Sequence, residues 1–339
     1  MVAFQAAWRG SRVTAVDVVE ARLDPQARAL IELAARSASP AMSSVGVEEA
    51  RRLYRESRLA LAPPPVAMQE TRDFSIAGPG GAIGARYYRP LGANSGEALP
   101  AVVYFHGGGW TCGDLDTHDS VCRGIAAQSR FAVVAIDYRM GPEHRFPAAV
   151  EDALAAVRWM AANAGSFGID PAQLVVAGES AGGNLAAVAA IALRDSALRL
   201  AMQVLVYPVT DQAADTDSLK RFAQGYSLTR ELLRWYQGNY LRGEPDRADW
   251  RASPLRAKDH SRLPPAYIIT AGFDPLLDEG KAYAERLAQA GVPVTYECFE
   301  GQIHGFLPMG GAIAAAHHAH YRIGQMLRTR FGTFSVARP

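Results

Sequence analysis

The sequence predicts an α/β fold: a mostly parallel central sheet flanked by helices, with a helical cap. Three observations predict it. From about residue 67 onward, short apolar runs such as "LPAVVYF" and "QLVVA" alternate with stretches of helical spacing, the pattern of a parallel sheet covered on both faces. A serine between glycines, in "GESAGG" at 178–183, stands where one such strand turns into a helix. Two helix-rich stretches, 1–66 and 212–256, fall outside the alternation.

Composition bounds the partners. The 339 residues are 49% apolar and 20% charged, as in an ordinary globular protein, which argues against disorder or a fibrous repeat. The net charge of +1 gives no electrostatic basis for binding nucleic acid. No apolar run approaches the roughly 20 residues a bilayer span requires. The N-terminal "MVAFQAAWRG" has no basic start before its apolar stretch, so no signal peptide is expected. Cys112, Cys122 and Cys298 are odd in number and widely spaced, which suits a reducing, cytoplasmic setting and forms no zinc-type pairing.

Taken in order, residues 1 to about 60 read as helices, notably "DPQARALIELAARSA" and "SVGVEEARRLYRESRLAL", with Ser44 available as a cap for the second. The prolines of "APPPVA" at 62–67 end that segment. "FSIAGPGGAIGARYYRP" reads as a hairpin around a glycine-rich turn. "LPAVVYFHGGGW", "FAVVAIDYR", "LVVAGES", "AMQVLVYPVTD", "PPAYIITAGFD" and "VPVTYECFE" read as strands. "PAAVEDALAAVRWMAANA", the run after Gly183, "EGKAYAERLAQAG" and "AIAAAHHAHYRIGQML" read as helices. The expected division is 1–66 as an N-terminal cap segment, 67–211 and 257–339 as two parts of a catalytic domain, and 212–256 as a helical cap insertion carrying "LTRELLRWYQGNYL".

Chemistry enters at Ser180. The spacing G-x-S-x-G after a strand forces a sharp turn that lifts the hydroxyl above the sheet, a nucleophile elbow. Alone, the five-residue pattern suits a phosphate-binding turn equally well. A serine hydroxyl needs a base to take its proton and an acid to orient that base. On an α/β-hydrolase sheet these follow the serine as acid, then histidine. His106, His118 and His144 precede Ser180 and drop out. His317, His318 and His320 fall in a helical run, read as its solvated face. Of His260 and His304, the latter is favoured, because "GQIHGF" follows a strand at the crevice end. Asp274, ending "AYIITAGF", is the favoured acid and Asp211 the fallback, while Asp278 and Glu279 read as a solvated helix start. "HGGGW" at 106–110 can turn backbone N–H groups toward the nucleophile, joined by the N–H of Ala181.

Together "HGGGW", "DYRMGPEHRFPAAVEDALAAVRW", "GESAGGNLA", "DPLLDEG" and "HGF" resemble the bacterial hormone-sensitive-lipase family of esterases, built on the α/β-hydrolase fold. The resemblance runs from about residue 75 to 330 and is looser over the N-terminal helices. It implies a cofactor-independent, metal-free carboxylic-ester hydrolase with Ser180, Asp274 and His304 as triad. Gly108, Gly109 and Ala181 are then the oxyanion donors, with Gly107 less certain. It further implies a small-molecule ester as substrate, and pairing of two copies through the sheet edge. Trp110, Tyr226, Trp235, Tyr236 and Tyr240 are candidate pocket walls or simply core. Glu179 replaces the family's commoner aspartate and Leu277 its arginine; neither removes a catalytic atom. Short- to medium-chain acyl groups are expected, because cap helices limit depth. A binding protein on the same fold, or an amidase, lactonase or thioesterase, shares these residues.

Overall fold

A computed structural model describes residues 22–37, 39–94 and 96–332; the helical reading before residue 22 lies outside them. In chain order the elements are α1 (Pro25–Arg36), α2 (Val47–Leu61), β1 (Met68–Gly78), β2 (Gly81–Pro90), β3 (Leu99–Phe105), α3 (Asp119–Ser129), β4 (Ala132–Asp137), α4 (Ala148–Asn163), β5 (Ile169–Glu179), α5 (Ala181–Leu193) and β6 (Met202–Val206). The short α6 (Asp217–Arg221), α7 (Arg230–Tyr240) and short α8 (Glu244–Ala248) follow, then β7 (Ala266–Phe273), α9 (Leu277–Gln289), β8 (Val294–Ile303) and α10 (Ala314–Phe331).

The strands form one eight-stranded sheet in the order β1-β2-β4-β3-β5-β6-β7-β8. β1 pairs with β2, and β2 with β4, antiparallel; every later pairing is parallel. All seven residues of β3 are buried, as a strand covered on both faces requires. Alternation along it feeds two cores. Val103 and Phe105 join Leu185 of α5 and Val157 of α4 on one face, while Val102 and Tyr104 join Ile125 of α3 and Ile323 of α10 on the other. The central α/β alternation and the mostly parallel sheet therefore follow the sequence reading.

Local expectations were corrected in four places. β1 begins at Met68, not near Phe74, because its first residues pair with β2 while lying mostly exposed, so no apolar alternation marks them. Ser44 does not cap α2: it closes a 3₁₀ turn by donating to the Ala41 carbonyl at 2.7 Å, and Gly46 holds the cap position. His317 and His318 are exposed, but His320 is buried against Gly124 where α10 crosses α3, and burial pushes its pKa down to about 4. Glu279 is likewise buried, 4% exposed, because α9 packs its first turn under the loop after β6. α3 was not singled out by its sequence, although Val121, Ile125 and Ala126 form its buried stripe. No described helix is long and apolar enough to cross a membrane.

Candidate active site

The C-terminal ends of β5, β7 and β8 converge on one point. Ser180 follows β5 with φ +55° and ψ −117°, a conformation that costs an L-residue on the order of 1–3 kcal/mol and persists only where the surroundings enforce it. They do so here. The Ser180 N–H donates to the Val206 carbonyl at 2.9 Å, and the Ser180 carbonyl accepts from Asn184 N at 3.0 Å and Val209 N at 3.2 Å. A Cβ at Gly182 would stand 1.9 Å from the Phe105 carbonyl oxygen, so only glycine lets α5 begin this close to β3.

His304, in the loop after β8, places Nε2 2.9 Å from Ser180 Oγ and Nδ1 2.7 Å from Asp274 Oδ2. Asp274 is fully buried and its Oδ1 accepts from Leu276 N at 2.8 Å, which fixes the carboxylate plane. A proton held on Nδ1 by that carboxylate leaves Nε2 free to accept one from the serine. Asp211, the fallback acid, instead grips Arg256 at 2.7 and 3.0 Å. His260 is buried with Nε2 2.9 Å from the Pro254 carbonyl.

The glycine loop after β3 faces the same point. Gly108 has φ +111° and Gly109 φ +61°, and the N–H groups of Thr111 and Cys112 both donate to the Gly108 carbonyl, closing a tight turn. Ala181 opens α5, so its N–H lies at a helix N-terminus. Gly107 differs from its neighbours. Its N–H already donates to Glu179 Oε1 at 3.3 Å.

Glu179 was noted in the sequence only as a departure, and what surrounds it was missed. The side chain is 2% exposed, with Oε1 2.6 Å from His118 Nε2 and Oε2 accepting from the Tyr207 hydroxyl. Burial pushes its carboxyl up. The hydrogen bond and charge of His118 and the bond from Tyr207 outweigh that and hold it at about 2. Both partners lie far off in the chain, so no spacing announces the cluster. His106 braces the loop: its Nδ1 lies 2.8 Å from the Gly107 carbonyl, and burial lowers its pKa to about 4, which keeps it neutral. Cys112 is a packed thiol, pushed up to about 12 by burial.

Ser180, His304, Gly108 and Gly109 open on a cavity of about 1310 Å³ whose wall includes Trp110, Tyr226 and Tyr236. Tyr236 rests on the glycine loop: a Cβ at Gly109 would lie 2.1 Å from its Cγ. Trp110 stacks on Tyr240 at 4.2 Å and 4°. Trp235 departs from the expectation. It lies off the cavity wall, edge-on to Tyr236 and packed against the core, because α7 turns only one face to the cavity. Among the described residues no group of three or more His, Cys, Asp or Glu side chains could hold a metal ion.

The arrangement has relatives. Residues 102–308 match the family described as alpha/beta hydrolase fold. The chain is 46% identical to a carboxylic ester hydrolase, LipN, of Mycobacterium tuberculosis over 75% of this chain and 69% of that one. It is 38% identical to an ethyl acetate hydrolase of Pseudomonas putida over 87% and 95%. Among solved structures, an alpha/beta hydrolase enzyme from the metagenome of Lake Arreo, Spain, superposes with a TM-score of 0.89 at 40% identity, covering 92% of this chain and 99% of that one. A hyperthermophilic esterase from Pyrobaculum calidifontis gives 0.85 at 39% identity, covering 91% and 98%.

Proposed function

Because this chain belongs to the α/β-hydrolase family, among its hormone-sensitive-lipase-like esterases, and is a carboxylic-ester hydrolase, we propose that it works through an acyl-enzyme formed on Ser180. The relay of 2.9 and 2.7 Å from Ser180 through His304 to Asp274 carries this reading. His304 Nε2 takes the hydroxyl proton as Oγ attacks the ester carbonyl. The same nitrogen returns that proton to the alkoxide that leaves. Water then attacks the acyl carbon while giving a proton to His304, which passes it to Ser180 Oγ as the acyl–oxygen bond breaks, releasing acid and free serine. Gly108, Gly109 and Ala181 donate N–H groups to the oxygen that turns negative, each worth about 3–4 kcal/mol of transition-state stabilisation.

In this reading residues up to 66 and residues 212–256 act as a cap, and Trp110, Tyr226 and Tyr236 bound the acyl or alcohol site. Tyr236 pressed on Gly109 sets a wall close to the reacting carbon, which supports short- to medium-chain acyl groups. The sheet ends at β8, and that edge is the proposed seat of a homodimer; a monomer by light scattering ends that part. The free cysteines suit the cytoplasm.

The test is a panel of esters, thioesters, lactones and amides run with the native chain and Ser180→Ala. Ester turnover by the native protein is expected to fall by about 10⁴-fold or more in the variant, and an organophosphate is expected to label Ser180. Labelling elsewhere, or a variant as active as the parent, overturns the assignment.

A further inference from the structure

The carboxylates on the cavity wall are each satisfied. Asp211 is paired with Arg256, Glu244 with Arg247, Glu56 with Arg52, and Glu179 with His118 and Tyr207. Glu279 accepts two backbone N–H groups, from Thr210 and Asp211. The cations are not matched in the same way. Arg58, Arg230 and Arg234 all line the cavity, and none has a carboxylate within ion-pair distance among the described residues.

Arg58 is the informative one. It sits on α2 after Arg51, Arg52 and Arg55, each of which holds a carboxylate: Glu143, Glu49 with Glu56, and Asp114 with Asp116. Arg58 instead lies over the Tyr54 ring at 4.9 Å and donates from Nη1 to the Gly305 carbonyl at 3.1 Å. Gly305 directly follows His304, so these contacts hold the guanidinium beside the catalytic loop; its further side-chain partner, the Tyr54 hydroxyl, is a neutral phenol and not a carboxylate. A forked, permanently charged donor in a partly enclosed cavity is built to hold a carboxylate.

Resting on the esterase reading above, we propose that the preferred substrates are esters carrying a second, ionised carboxylate, bound by Arg58, with Arg230 and Arg234 adding attraction. Glu179 on the same wall attracts Arg58 from beyond ion-pair distance, whereas such a substrate brings a carboxylate into direct contact with it. The carboxylate takes no part in the bond changes; it orients the ester so that its carbonyl meets Ser180.

The experiment compares kcat/KM for monoethyl succinate with that for ethyl 4-methylpentanoate, in which an isopropyl group replaces the carboxylate. 3-Acetoxypropanoate against 3-methylbutyl acetate repeats the comparison with the charge on the alcohol side. Each ratio is taken on one preparation, so it is independent of how much of a variant is folded. The native protein is expected to favour the charged member of at least one pair. Arg58→Gln is expected to lower that ratio by roughly tenfold or more, the scale of a lost charge-assisted hydrogen bond, and Arg58→Lys to restore part of it. A native ratio at or below one in both pairs overturns the proposal, and so does an unchanged ratio in Arg58→Gln. Failure to hydrolyse any of the four esters strikes the esterase reading itself.

Discussion

At Gly109 two constraints meet. The residue has φ +61°, where an L side chain is strained, and the space a Cβ would fill is already occupied by the Tyr236 ring. Gly109→Ala must therefore move the donor loop or the ring. We expect kcat to fall by about 10²–10³, the cost of one misplaced oxyanion donor, with the far-ultraviolet circular dichroism unchanged; near-native kcat would contradict a role for this N–H. Glu179→Ala acts at the same scale but through stability. It leaves the buried His118, the Tyr207 hydroxyl and the Gly107 N–H without their common acceptor, so a loss on the order of 3–5 kcal/mol is expected from denaturant unfolding. The first of these residues stood out in the sequence because glycine runs are rare and positional. The network around the second did not, since His118, Glu179 and Tyr207 are joined only by the fold.

Among the elements, α2 is tied to the body by side chains on one face. Arg51 donates to the Thr111 and Gly141 carbonyls at 2.8 and 2.9 Å and pairs with Glu143, and Arg55 pairs with Asp114 and Asp116. Ion pairs this exposed contribute about 0–1 kcal/mol each, so the helix is held by several weak ties. Arg51→Ala with Arg55→Ala is expected to speed amide hydrogen exchange within α2 while leaving the central strands protected; uniform protection would show that apolar packing alone seats the helix. Helix and strand identities were readable where burial on both faces imposes an unbroken apolar run, as in β3, β5 and α5. They were unreadable where an element's partners are polar or distant. β1 is a ribbon with little buried side, and the caps of α2 depend on a preceding 3₁₀ turn that local propensity does not reveal. Trp235 illustrates a further limit: the aromatic count of α7 was plain, but not which face meets the cavity.

For the whole molecule, the buried Glu279 sets a pH dependence. Burial raises its pKa from 4.5 to about 8 against the lowering effect of the Thr210 and Asp211 N–H groups. A raised acid pKa in the folded state means the fold binds a proton that the unfolded chain releases, so this stabilisation is complete below about 4.5 and is lost as pH rises through 8. Glu279→Gln should remove that term: the gap in melting temperature between variant and parent moves in the variant's favour from pH 5 to 8, and a constant gap refutes it. The order of serine, acid and histidine along the chain was enough to foresee which strand ends meet, because a parallel sheet brings all its carboxyl ends to one side. The charge pattern of the cavity wall was not, since α2 and α7 reach it from distant parts of the sequence. The seat of Tyr236 on Gly109 couples two properties usually engineered apart. Under the mechanism proposed above, drawing the 230–240 segment outward to admit bulkier esters also loosens the hand that steadies the nascent oxyanion, so breadth of acceptance and turnover trade against each other unless a second wedge replaces that ring.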